Sequence, residues 1–263
     1  MHEGITDYLE IMRLAGVSDV KKGDRRRSAN GSRESATVSP KANHLVGTPV
    51  LETADGRRQT AVDLARIPIA PLQLPNGSKA EQLRYLADEV AKCTRCKDLA
   101  SSRTQTVFGV GNPDSPLVFL GEAPGADEDK QGEPFVGRAG QLLTDIIVKG
   151  MKLRREDVYI CNILRCRPPG NRNPMPDEAA HCRPFLDRTL EIIQPKFICC
   201  LGAVAAKNLL ASEQTIGALR KKVWEYNGIK VVCTYHPAYL LRNPSAKKDT
   251  WEDIQLLMRE MER

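Results

Sequence analysis

Hydrophobic positions are spread unevenly along the chain, and their spacing divides it in two. From residue 78 onward, short apolar runs alternate with stretches of helical period. The runs Leu117–Leu120, Val158–Ile163, Phe197–Leu201 and Lys230–Thr234 are rich in Val, Ile, Leu, Phe and Cys at successive positions. Such short continuous runs predict strands buried on both faces. Between and after them, Ala139–Lys149, Asp177–Ile193, Ala203–Leu210 and Asp249–Glu262 carry apolar residues at three- and four-residue intervals, as helices packed on one side do. Pro184 is expected to kink or offset the second of these, because it lacks the N–H that would bond one turn back. Ser78-Lys-Ala-Glu81 has the capping-box pattern, and Leu83, Leu86 and Val90 continue that helix toward Cys93. Strand and helix alternating in this way predict an α/β fold, with a central, mainly parallel sheet of four strands covered on both faces. Ligands of such sheets bind beyond the carboxyl ends of the strands. Gly121 follows the first run, Asn162 falls late in the second, and His236 comes just after the fourth.

Residues 1–77 read differently. Ile5, Tyr8, Leu9, Ile11, Met12 and Leu14 predict an amphipathic helix over residues 4–15. A basic run, Lys21-Lys-Gly-Asp-Arg-Arg-Arg27, a Ser/Asn/Gly/Lys-rich stretch and Pro68, Pro71 and Pro75 follow. With 11 basic and 9 acidic residues this arm adds only +2 of the net charge. Too little periodic apolar surface exists there to offset the entropy of ordering. The expected organisation is a mostly disordered extension, 1–77, ahead of a compact domain, 78–263. The helix at the front of the extension offers a docking element for an unknown protein partner, and a solvated, partly formed helix fits the same pattern.

Composition narrows the functional classes only a little. The net charge of +6 suits a polyanionic partner without requiring one. No stretch approaches the ~20 apolar residues that cross a bilayer, and the first residues do not form a basic segment followed by an apolar one. The expected location is therefore cytoplasmic, where clustered cysteines favour metal over disulfides. Of the eight cysteines, Cys161, Cys199, Cys200 and Cys233 lie inside apolar runs and read as small buried hydrophobes. The other four form a close pair, Cys93-Thr-Arg-Cys96, with two distant partners, Cys166 and Cys182. A two-residue gap lets one short turn aim two sulfurs at a single metal centre, and remote partners can close the cage. Four cysteines alone leave zinc and iron–sulfur both open.

The remaining motifs are individually weak. Gly121-Glu-Ala-Pro-Gly125 after a strand is often only a turn, and Asp127, Glu128 and Asp129 suit a helix cap or a wet surface. Phe135 within Pro134-Phe-Val-Gly137 reads first as a core anchor, although a stacking platform for a planar ring would look the same. Asn162 interrupts an apolar strand, where its amide must find both an acceptor and a donor. His236 is equally well a satisfied core histidine or an active-site group.

Taken in order, however, these motifs resemble one family. Cys-x-x-Cys at 93–96, Gly-Glu-Ala-Pro-Gly-Ala-Asp-Glu-Asp at 121–129, Pro-Phe-Val-Gly at 134–137, Asn-Ile-Leu-Arg-Cys-Arg-Pro-Pro at 162–169 and His-Pro-Ala-Tyr-Leu-Leu-Arg-Asn-Pro at 236–244 follow the pattern of the type-4, iron–sulfur uracil-DNA glycosylases. The resemblance covers about residues 83–262. It implies a three-layer α/β/α sandwich, a 4Fe-4S cluster of structural role on Cys93, Cys96, Cys166 and Cys182, and a monomer acting on uracil-containing DNA, single- or double-stranded. The implied reaction is hydrolysis of the N-glycosidic bond of deoxyuridine, the opening step of base excision repair. His236 is then expected to donate to uracil O2, Asn162 to read N3–H and O4, and Phe135 to stack on the flipped base. Backbone amides of Gly121, Ala123 and Gly125 are expected to complete the contacts, with Asp127 nearby. The best-known branch of the superfamily places a water-orienting Asp where this chain has Ala123, so Glu122, ahead of Asp127, is the expected substitute. Leu240 is the expected wedge filling the space left by the flipped nucleotide, with Tyr239, Leu241 and Arg242 flanking it on DNA. Arg103, Arg165, Arg167 and Arg172 are further phosphate candidates.

Two rivals accompany this reading. A related branch traps DNA covalently through a histidine in a basic loop, but the matching stretch here, Arg167–Pro176, contains none. A non-catalytic, metal-stabilised DNA-binding module would account for the cysteines yet leave Phe135, Asn162 and His236 unexplained together.

Overall fold

A computed structural model describes residues 74–263 together with a short antiparallel strand pair, β1 (Val50–Glu52) and β2 (Arg58–Thr60). The helix expected over residues 4–15 lies outside the described residues. Helix α1 (Lys79–Ala91) opens the main body, and its start is the expected capping box: the Ser78 amide donates to Glu81 Oε2 at 2.7 Å, and the Glu81 amide donates to Ser78 Oγ at 3.3 Å. Helix α2 (Lys97–Ser102) follows directly after the cysteine pair.

All four predicted strands form, as β4 (Leu117–Gly121), β5 (Tyr159–Asn162), β6 (Phe197–Leu201) and β8 (Ile229–Thr234). They run parallel in the order β5-β4-β6-β8. Two antiparallel edge strands, β3 (Val110–Gly111) beside β5 and β7 (Val223–Tyr226) beside β8, extend the sheet to six. The chain leaves β4 toward β5 on one side and returns to β6 on the other. The carboxyl edge between these strands is therefore a topological switch point, the usual ligand position in open α/β sheets.

Alternation along the strands splits the core into two layers. Val118, Leu120, Cys161, Ile198, Cys200, Val231 and Cys233 face one side. There they pack on α1, α5 (Pro176–Ile193), α6 (Ala203–Leu210) and the short α7 (Ile216–Leu219). Leu117, Phe119, Ile160, Phe197, Cys199, Leu201 and Val232 face the other, against α4 (Arg138–Asp145), the π-type turn Ile146–Gly150 that prolongs it, and α9 (Lys247–Met261). This is the expected α/β/α sandwich. The four cysteines read as small hydrophobes, Cys161, Cys199, Cys200 and Cys233, are all fully buried in the sheet. Pro184 does not end α5, which runs through it as one helix. Two further helices, α3 (Ala126–Gln131) after β4 and α8 (Pro237–Arg242) after β8, stand at the carboxyl edge. No helix among the described residues is long and apolar enough to cross a membrane.

Candidate active site

The carboxyl ends of β4, β5 and β8 open into a cleft of about 390 Å³. Its wall includes Glu122, Ala123, Pro124 and Gly125 after β4, then Phe135, Asn162, His236 and Arg242. Most of the residues singled out in the sequence therefore meet in one place. Asn162 sits opposite Gly121 in the β4–β5 register and is only 2% exposed. A side chain on Gly121 would collide with it, since a Cβ there would lie 2.3 Å from Asn162 Oδ1 and 2.5 Å from the Phe135 ring. Gly121 thus contributes space rather than contacts. Asn162 Oδ1 is buried without a hydrogen-bond partner. Buried polar atoms are rarely left so, and an orphaned acceptor at a cleft wall marks a place where a ligand donor belongs.

His236 caps the N-terminus of α8, and its Nδ1 accepts the amide of Ala238 at 3.1 Å. That bond fixes the neutral tautomer with its proton on Nε2. Burial, helped by the charge of Arg242, lowers the imidazole pKa from 6.5 to about 4. The ring is therefore a neutral Nε2–H donor at physiological pH. Gly202, at φ +93°, makes room for it: a Cβ there would come within 2.9 Å of His236 Cβ. The Phe135 ring lies 5.6 Å from the imidazole, tilted by 32°. Phe135 itself adopts a left-handed backbone, φ 57°, a conformation that a bulky residue keeps only when its surroundings hold it. Arg155 is the holder, donating to the carbonyls of Pro134 at 2.8 Å and Phe135 at 3.1 Å and to Thr144 Oγ1 at 3.0 Å. Nothing in the local sequence pattern announces Arg155.

Glu128 does more than the helix cap its position suggests. Its carboxylate accepts the amides of Gly125, Val136 and Gly137, each at 3.0 Å, and so ties the loop after β4 to the loop that carries Phe135. The Gly125 amide expected to face the base is therefore already engaged. Glu122 faces the cleft, and burial raises its carboxyl pKa above the ordinary value. Asp127 stands apart: it is exposed on α3, with its carboxylate over Gly137, and is not part of the cleft wall.

The expected wedge needs correction. Leu240 is 1% exposed, turned under α8, whereas Leu241 is 36% and Tyr239 39% exposed. With His236 as N-cap, the helical phase carries Leu240 inward and its neighbours out. Two arginine candidates are also committed elsewhere. Arg165 is fully buried, bonded to the Phe108 carbonyl and Thr189 Oγ1. Arg103 donates to Cys166 Sγ at 3.1 Å and to the Ala91 carbonyl at 3.0 Å. Arg172 does reach the cleft wall, held by a two-point ion pair with Glu178 at 2.6 and 2.8 Å. Arg167 Nε donates to Asn171 Oδ1 at 2.8 Å.

Cys93, Cys96, Cys166 and Cys182 line a second, smaller cavity, together with Leu99, Leu164, Phe185, Arg103 and His181. His181 Nδ1 lies 3.5 Å from Cys96 Sγ. Burial, reinforced by the neighbouring sulfurs, pushes Cys96 up to about 12 and Cys182 up to about 11. A cage of thiolates there calls for a positive centre to neutralise it. Among the described residues, no three His, Cys, Asp or Glu side chains stand close enough to hold one metal ion. An all-sulfur donor set of this kind suits zinc or an iron–sulfur group.

Residues 108–255 match the model of the uracil DNA glycosylase superfamily. A type-4 uracil-DNA glycosylase of Archaeoglobus fulgidus is 45% identical over 183 residues, covering 66% of this chain and 91% of the relative. One from Thermotoga maritima is 45% identical over 182 residues, covering 68% and 94%. A type-5 uracil-DNA glycosylase of Pyrobaculum aerophilum is 26% identical over 184 residues, covering 58% and 81%.

Proposed function

The chain belongs to the uracil DNA glycosylase superfamily, in its type-4 branch, and from that premise we propose that it excises uracil from DNA by hydrolysing the N-glycosidic bond. The observation that carries this reading is the pairing of an orphaned Asn162 carbonyl oxygen with a neutral His236 imidazole in one cleft backed by Phe135.

Uracil turned out of the DNA stack lies against Phe135. The Asn162 carbonyl accepts N3–H and its amide donates to O4; cytosine offers the reverse pattern and is rejected. As the bond from N1 to C1′ lengthens, its electron pair moves onto the base. His236 Nε2–H faces the developing charge on O2, and a positioned neutral donor of this kind contributes roughly 10²–10³ in rate. Glu122 balances the cationic sugar and orients the water that adds to C1′, and the proton this water loses neutralises the departing uracil anion. Glu128 and Arg155 hold the two loops so that these groups need not reorganise. Arg172 and Arg242 face phosphate, and Leu241, rather than Leu240, fills the vacated stack.

Cys93, Cys96, Cys166 and Cys182 would hold a 4Fe-4S cluster whose contribution is mechanical: it cross-links the end of α1, the chain after β5 and α5. Arg103 and His181 brace the cage from outside. The protein works as a monomer in the cytoplasm on single- or double-stranded DNA.

The test uses anaerobically purified protein and a uracil-containing oligonucleotide. Free uracil and an abasic product are expected, with rates reduced about 10²–10³-fold in Asn162→Ala and His236→Ala. No release from either strand form overturns the activity. A covalent adduct that survives denaturation overturns the hydrolytic step, and absorbance lacking the broad iron–sulfur band near ~400 nm overturns the cluster.

A further inference from the structure

The rim of the cleft carries an aromatic residue that the excision chemistry does not use. Tyr239 lines the cleft yet is 39% exposed, high for an aromatic ring beside a pocket. It is not loose. The Tyr235 ring lies 5.0 Å away at an interplanar angle of 28°, a stacked geometry. The Arg220 guanidinium in turn lies 4.3 Å from the centre of the Tyr235 ring, within cation–π range. Arg220 is 4% exposed and anchored by Asp253, which accepts its Nε at 2.6 Å. Asp253 also accepts the Thr234 hydroxyl at 2.7 Å and the Lys221 amide at 3.2 Å. A continuous column therefore runs from α9, past the end of β8, to the cleft mouth: Asp253, Arg220, Tyr235, Tyr239.

We propose that Tyr239 is a preformed stacking platform for the nucleobase adjacent to the one being excised. This rests on the reading of the cleft as a DNA groove. The platform differs from the base pocket, because Phe135 and His236 already face each other deeper in the cleft. It differs from a wedge too, because a ring stacked on a second ring is fixed in orientation and presents a flat face. What it fits is a planar π-system one nucleotide away, and stacking accepts any base. Because the column is rigid beforehand, little side-chain freedom is lost when the base arrives. Flanking Leu241 and Arg242 supply an apolar contact and a cation beside it.

The experiment compares the wild-type protein with Tyr239→Ala and Tyr239→Phe on single-stranded oligonucleotides carrying 2-aminopurine immediately 5′ or 3′ of the uracil. Stacking quenches 2-aminopurine fluorescence. The wild type is expected to quench it on one side, Tyr239→Phe to do the same, and Tyr239→Ala to lose the quench. KM should rise about 5- to 150-fold in Tyr239→Ala, the range of one base–aromatic stack, while kcat changes little. Tyr239 is exposed, so the Ala variant is expected to fold. If Tyr239→Ala keeps wild-type KM and quenching, or the wild type quenches on neither side, the platform is refuted even though uracil is released. Absence of uracil release from the wild type refutes the underlying reading instead.

Discussion

The cysteine cavity and the cleft are built on the same stretch of chain, Asn162 serving one and Cys166 the other, yet they are finished in opposite ways. In the cavity the polar neighbours turn toward the sulfurs: Arg103 bonds Cys166, and His181 sits beside Cys96. In the cleft the supporting bonds all lie behind the working atoms. Glu128 and Arg155 hold backbone, while Asn162 Oδ1 is left without a partner. A site closed around its own contents is a brace. One that keeps a buried acceptor unpaired is waiting for a ligand. Glu178 joins the two, lining the cavity while its carboxylate holds Arg172 at the cleft wall.

The sharpest way to break this contrast is to empty the brace. Cys166→Ala should lose iron and the visible absorbance, and with them on the order of 5 kcal/mol of stability, or ~10–20 °C in Tm. Activity should fall with folding rather than ahead of it. Calorimetry alongside iron analysis checks this; a variant that keeps its Tm after losing iron would make the cysteines dispensable to the scaffold.

Next in size is Leu240 against Leu241. Truncating the buried residue, Leu240→Ala, should cost about 2–5 kcal/mol of stability. Leu241→Ala should cost within ~0.5 kcal/mol but slow excision from duplex more than from single strands. Denaturant melts and paired-substrate kinetics separate the two, and an interchange of their effects would restore Leu240 as the wedge.

A loss of about 10²-fold in kcat is expected from Glu128→Ala, because three backbone amides lose their common acceptor and the loops that place the reacting groups shift. Iron content should not change. Loss of iron in Glu128→Ala would mean that cleft and cavity are not separable in this way.

Much of this arrangement is legible in the sequence. Continuous apolar runs marked the four parallel strands, since burial on both faces leaves no polar alternation to confuse the period. The Ala203–Leu210 helix was found at its observed bounds. The edge strands were not, because Val110–Gly111 is two residues long and Val223–Tyr226 is half exposed. Of the expected site residues, Asn162, Phe135 and His236 meet in one cleft with Gly121 packed against the first two, each being an oddity in its local pattern. That Leu240 turns inward and Leu241 outward follows from helical phase, which depends on where His236 starts the helix and not on composition. Arg155 acts across a long separation, and Glu128 and Glu178, whose spacing suits a helix cap, also reach Val136, Gly137 and Arg172 across loops, where spacing carries no signal. Arg165 is a phosphate candidate by residue type alone, and only its burial against Phe108 and Thr189 removes it.

The smallest effect expected is in the pH profile, and it discriminates between the proposed roles of His236 and Glu122. His236, with its pKa lowered to about 4, stays neutral through the whole physiological range. Its protonation therefore gives an acid limb near pH 4 rather than near 6.5. In its proposed role Glu122 is ionised to balance the sugar cation, and burial raises its pKa, so its limb is expected at higher pH than that of an ordinary carboxylate. The activity of the wild type should then fall first through Glu122 as the solution is acidified. In Glu122→Gln that limb disappears: the rate is lower throughout but flat down to the His236 transition. Stability follows the histidine with a definite sign. Between 6.5 and 4 the unfolded chain binds a proton at His236 that the native state refuses, so the fold loses stability as pH drops across that window. His236→Asn should flatten that part of the curve. Should Glu122→Gln retain the wild-type acid limb, the water-orienting role passes to another group, while the assignment of Asn162 and His236 stands.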